Sequence, residues 1–174
     1  MQRGAYAVAG PAAQPGRIEA LRIGAQLCFA LYSTTRSMTA SYRPYLEEMG
    51  LTYPQYLVLL VLWEHDELTV KELGQTMRLD YGTVSPLTQR LEASGLVERR
   101  QSAHDGRVTV LRATEASLAL QPKALAMIES ILAGLGYEID EIISLRNQLK
   151  DYRSRLDKVA GREDSAPDSA PVER

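Results

Sequence analysis

The chain has 174 residues, enough for one domain around one hydrophobic core. Its 45% hydrophobic and 24% charged residues are ordinary for a globular protein, and the net charge of −2 excludes a broadly basic nucleic-acid-coating protein. Any contact with nucleic acid must therefore come from a local patch. A single cysteine, Cys28, excludes a disulfide framework within the chain. The longest unbroken apolar run, Tyr56 to Trp63, is too short to span a bilayer, and the first residues lack the charged-then-apolar pattern of a secretion signal. The expectation is a cytoplasmic protein without membrane contact, where an isolated thiol stays reduced until something oxidises it.

Residues 1–16 are rich in Ala, Gly and Pro and read as a flexible arm. A helix is predicted from about Ile18 to Met38, with apolar residues at helical spacing through Leu21, Ala25, Cys28, Leu31 and Tyr32. A second segment, Ala40 to Glu48, is interrupted by Pro44 and closed by Gly50. Thr52-Tyr53-Pro54-Gln55 then opens a helix, Tyr53 to Glu64, that is apolar nearly all round and should be buried. Thr69-Val70-Lys71-Glu72 forms a second capping box and opens a short helix ending near Met77. Asp80 caps a third helix, which runs to Ser94 and stops at Gly95.

After Gly95 the period changes to that of strands. Leu96 to Arg100 and Val108 to Leu111 flank Asp105-Gly106, a strong hairpin dipeptide. Thr114 caps a helical region from about Glu115 to Leu132, which Gly134 and Gly136 should break. A last helix runs from about Tyr137 to Val159, and the Pro-, Ala-, Ser- and acid-rich stretch 161–174 reads as a disordered tail.

Short helix, tight turn, second helix and hairpin is the order of a winged helix-turn-helix. The expected fold is mainly α with a small β-hairpin wing: a single domain over 17–160, with the helix-turn-helix at about 69–94 and the wing at about 96–112. In this geometry the helix from Asp80 to Ser94 enters the major groove of double-stranded DNA. Its exposed face is expected to present Thr83, Ser85, Thr88 and Gln89 to base edges and phosphates, with Arg90 alongside. Val84, Leu87 and Leu91 should face the core. Arg107 is placed like a wing arginine that reaches the minor groove. Residues 78–112 hold six basic and four acidic side chains, a mildly positive patch. Such readers work as two-fold dimers on pseudo-palindromic operators. The flanking helices, about 18–38 and 115–159, are too apolar to be left exposed and are the expected homodimer interface.

Leu91-Glu92-Ala93-Ser94-Gly95-Leu96-Val97-Glu98-Arg99, followed by Asp105-Gly106-Arg107, resembles the MarR family of winged-helix regulators. Gln26-Leu27-Cys28-Phe29, Tyr42-Arg43-Pro44, Leu51 to Leu57 and Leu62-Trp63-Glu64 are similar to the organic hydroperoxide resistance regulators within that family. The resemblance implies a repressor, not an enzyme, with no metal or cofactor. Its peroxide sensor would be Cys28, hydrogen-bonded by Tyr42 and Tyr53 of the partner subunit, with Tyr32 as a third member. Hydroxyl donors favour a thiolate, which attacks peroxide and becomes a sulfenic acid. Phe29, Leu31 and Leu57 would favour an organic hydroperoxide over hydrogen peroxide. With no second cysteine to resolve the sulfenic acid, a small external thiol would complete the switch. A MarR-type regulator controlled by a small anionic or phenolic ligand in the interdimer pocket is the alternative. A thiol peroxidase is a more distant one, because neither a resolving cysteine nor an arginine beside Cys28 is evident.

Overall fold

The computed structural model describes residues 19–102 and 107–161. The expected arm at 1–16, the Asp105-Gly106 tip and the tail beyond Gly161 lie outside the described residues. The elements are a 3-10 turn at Ile23–Ala25, α1 (Leu27–Glu48), α2 (Tyr53–Trp63), β1 (Leu68–Thr69), α3 (Val70–Met77), α4 (Tyr81–Ala93), β2 (Val97–Gln101), β3 (Thr109–Ala113), α5 (Glu115–Leu118), α6 (Gln121–Leu135) and α7 (Ile139–Val159). The chain divides into two compact units between Ala40 and Ser41, a boundary inside α1.

In the N-terminal unit no residue from Glu19 to Ala40 is buried. The predicted helix from Ile18 is replaced by the short 3-10 turn, and α1 begins only at Leu27. Gly24 is a poor helix former, and Gln26 is extended (φ −88°, ψ 117°). The Gln26 side chain, through Nε2, also donates to the Ala20 carbonyl, which holds the turn apart from the helix. The predicted break near Ala40 is likewise absent: α1 continues through Pro44, which withholds one N–H without ending the helix.

The second unit is built on its caps. The Gln55 side-chain carbonyl accepts from Thr52 N at 2.8 Å and fixes the start of α2. Glu72 Oε2 accepts from Thr69 N at 2.8 Å while Thr69 Oγ1 accepts from Glu72 N at 3.1 Å, the reciprocal box that opens α3. Asp80 Oδ1 accepts from Thr83 N at 2.8 Å and opens α4. Tyr56, Val58, Leu59 and Leu62 of α2 form the core with Leu73 of α3, Val84 and Leu91 of α4, Val97 and Leu111 of the sheet, and Ala124 and Met127 of α6. Helix α2 is thus buried, as its all-round apolarity requires.

The sheet has three antiparallel strands in the order β1-β3-β2, one more than the expected hairpin. Strands β2 and β3 pair from Val97↔Ala113 to Gln101↔Thr109, and Leu68 and Thr69 pair with Leu111 and Val110. The predicted helix from Glu115 is divided into α5 and α6, with Pro122 in the first turn of α6. Gly134 stays helical; Gly136, at φ +67°, is where the helix stops. The stretch Glu115–Leu135 is long and apolar enough to cross a membrane by length and composition. Its buried residues Ser117, Ala124 and Met127 pack within the protein.

Candidate sensor and reading sites

Cys28 is the second residue of α1 and its side chain is exposed. A mid-helix position was expected from the sequence, and the later helix start corrects it. Cys28 therefore belongs to the first turn of the helix. The Cys28 sulfur lies 4.0 Å from Gln26 Oε1. Tyr32, one turn further along, is exposed, and its hydroxyl oxygen accepts from Arg36 Nη1 at 3.1 Å. The Arg36 guanidinium also lies 5.7 Å from the Tyr32 ring centre. An oxygen used as acceptor still has its own proton to donate. The i, i+4 spacing of Tyr32 and Arg36 was the signal that could have found this pair.

Tyr42 and Tyr53 come together in the second unit, edge to face with centroids 5.4 Å apart. Tyr56, which sequence reading did not single out as a site residue, joins them at 6.1 Å and 6.4 Å. Trp63 packs against Tyr56 at 6.4 Å, and its Nε1 donates to Ser117 Oγ at 2.9 Å. Tyr42 and Tyr53 are half-buried, whereas Tyr56 is 2% exposed. Burial pushes all three phenols above their ordinary value, Tyr56 up to about 12, with Tyr42 and then Tyr53 adding to the shift at Tyr56. Groups so shifted remain protonated hydrogen-bond donors throughout the neutral range.

On α4, Thr83, Gln89 and Arg90 are exposed and Ser85 is half-buried. Thr83 Oγ1 lies 3.2 Å from each oxygen of Asp80, so its hydroxyl is directed to the cap. Thr88 is the correction: it is fully buried, not on the outer face. Val84, Thr88 and Leu91 fall on one helical stripe, and that stripe faces the core. Leu87, expected in the core, is only half-buried. Arg99 Nη1 donates to Thr88 Oγ1 at 2.7 Å and Arg99 Nε lies 3.3 Å from Glu92 Oε2, which fastens β2 to α4. Thr88 thus sets the seat of the helix. Tyr81, at the head of α4, is 67% exposed. Arg107 is exposed, two residues before β3.

A capped helix pair, a seated outer helix and a three-stranded wing define the winged helix-turn-helix class. The comparisons with known proteins agree. Residues 49–108 match the model of the MarR family. The organic hydroperoxide resistance transcriptional regulator of Bacillus subtilis (strain 168) is 42% identical over 140 residues, covering 80% of this chain and 90% of that regulator. The crystal structure of AbfR of Staphylococcus epidermidis superposes with a TM-score of 0.69 at 31% identity, covering 82% of this chain and 98% of AbfR. A structure of reduced AbfR bound to DNA gives 0.67 at 31% identity, with 80% and 98% covered. The chain belongs to the MarR family of transcriptional regulators.

Proposed function

We propose that this chain is a homodimeric, cytoplasmic DNA-binding repressor that detects organic hydroperoxide through Cys28 and then releases its operator. The observation that carries this reading is the exposed Cys28 thiol in the first turn of α1, open to a peroxide from solution. The name of the Bacillus subtilis relative and the DNA-bound AbfR structure support it. In the dimer, the Tyr42 and Tyr53 hydroxyls of one subunit donate to Cys28 of the other. The thiolate attacks the terminal peroxide oxygen, the O–O bond breaks, and Cys28 becomes a sulfenic acid. The alkoxide leaves as the alcohol after taking a proton from water. A small thiol then condenses with the sulfenic acid, releasing water and leaving a mixed disulfide.

Thr83, Ser85, Gln89 and Arg90 of α4, with Tyr81 and the wing residue Arg107, form the DNA-reading surface. Two such helices must lie roughly 34–36 Å apart to enter successive major grooves, so a bulky adduct at the dimer interface disrupts their joint engagement. Many large apolar side chains are exposed: Leu27 and Phe29 in the N-terminal unit, and Leu135, Ile139 and Leu149 in the second. A second copy of the chain is the cover this reading assigns to them.

The test is intact mass after one equivalent of cumene hydroperoxide, with and without cysteine, alongside operator binding on the same sample. The reading expects one added oxygen, then a mixed disulfide at Cys28 and loss of binding. Release of the operator with Cys28 unmodified would point to the small-ligand alternative.

A further inference from the structure

The hydroxyl of Tyr56 is buried and has no hydrogen-bond partner among the described residues. A buried donor without an acceptor costs about 1–3 kcal/mol, and phenylalanine would fill the same space without that cost. Tyr56 lies in contact with the rings of Tyr42 and Tyr53, the two phenols assigned above to the sensor. On that reading those two donate to the Cys28 sulfur, an acceptor present at rest. The peroxide brings further acceptors only during reaction: two oxygens, one of which becomes an alkoxide as the O–O bond breaks. A donor idle at rest matches an acceptor that appears only then.

Resting on the proposed function, we infer that Tyr56 is a further substrate-contacting residue, whose hydroxyl donates to the departing oxygen of the organic hydroperoxide. The hydrogen bond disperses the charge developing on that oxygen. The balance is unchanged: sulfur gains the terminal oxygen with its hydrogen, and the alkoxide draws its proton from water. Tyr42 and Tyr53, whose rings pack on Tyr56, are only half-buried. Tyr56 remains a donor throughout, because burial holds its proton to about 12.

The experiment compares the full-length parent and Tyr56→Phe. Oxidation of Cys28 by cumene hydroperoxide and alkylation of Cys28 by iodoacetamide are both followed by mass, with thermal unfolding and operator binding as controls. The inference expects oxidation about tenfold slower in Tyr56→Phe, the worth of one hydrogen bond. Alkylation and operator binding should be unchanged, and the unfolding midpoint equal or higher, since no resting partner is lost. Equal oxidation rates overturn the inference and leave the sensor reading intact. A matching fall in alkylation also overturns it, because the hydroxyl then acts on the thiolate. A lower midpoint does so too, since Tyr56 then has a resting partner such as a buried water. A parent whose Cys28 resists cumene hydroperoxide removes the sensor reading and this inference with it.

Discussion

At residue scale, Tyr42 and Tyr53 separate packing from chemistry. Phenylalanine at either site keeps the edge-to-face contact at 5.4 Å and removes only the hydroxyl. On the sensor reading, Tyr42→Phe and Tyr53→Phe each retain operator binding but slow Cys28 oxidation about three- to tenfold, one hydrogen bond's worth. Timed mass spectra of hydroperoxide-treated protein measure this directly. The same tyrosines set an alkaline limit. Their folded values lie above the ordinary 10.0, so the folded state holds these protons more tightly than the unfolded chain. That contribution is full below 10.0 and is lost as pH rises through about 12, where Tyr56 titrates. Urea melts between neutrality and strongly alkaline pH should show stability falling over that window, less steeply in Tyr56→Phe. On the reading face, Arg107→Ala should weaken operator binding by about 1–3 kcal/mol without unfolding the protein. Affinity titrations at two salt concentrations would check it, and unchanged affinity would remove the wing contact from the account.

At element scale, the helix-turn-helix depends on a close approach at Gly74. A Cβ there would lie 2.9 Å from the Leu79 carbonyl oxygen and 3.6 Å from Val84 Cγ2. Alanine gains about 1 kcal/mol in helix propensity, but the obstacle is backbone and cannot swing aside. Overpacking dominates, so Gly74→Ala should destabilise the fold by about 1–3 kcal/mol in urea melts. The turn that follows holds Arg78 at φ +56°, left-handed for a residue with a side chain. Its Nη1 meets the carboxylate of Asp157 on α7, a group only 7% exposed. Asp157 also lies in the last turn of α7, where the helix dipole disfavours an anion. Arg78→Gly relaxes the backbone but strands that carboxylate. A net loss of about 1–3 kcal/mol is expected, because an unpaired buried charge outweighs the strain relieved. Adding Asp157→Leu should restore much of it.

These elements also show what was legible beforehand. The starts of α2, α3 and α4 could be read because a cap is written within four residues, as in Thr69-Val70-Lys71-Glu72. Strand β1 could not, since two residues become a strand only by pairing with β3, some forty positions on. The start of α1 was misplaced because apolar spacing continues through Leu21 and Ala25, while the Gln26 turn that interrupts it has no strong sequence mark. Thr88 was misassigned for a related reason. A hydroxyl reads as polar, yet the Arg99 guanidinium that satisfies it comes from the next strand.

At the scale of the whole molecule, the account requires two copies. Ile139, Ile143, Leu145, Leu149 and Leu156 leave α7 with an apolar surface that is exposed among the described residues. Deleting 137–159 should give monomeric or unfolded protein by sedimentation. A DNA-binding dimer lacking that helix would overturn the architecture. The central claim is that chemistry at Cys28 controls the operator. Its most direct measurement is operator binding by the parent and by Cys28→Ser, each treated with cumene hydroperoxide and a small thiol. Serine keeps the size and an acceptor but cannot become a sulfenic acid. The account predicts that the treated parent releases the operator while Cys28→Ser binds it as the untreated parent does; equal release by both would contradict it.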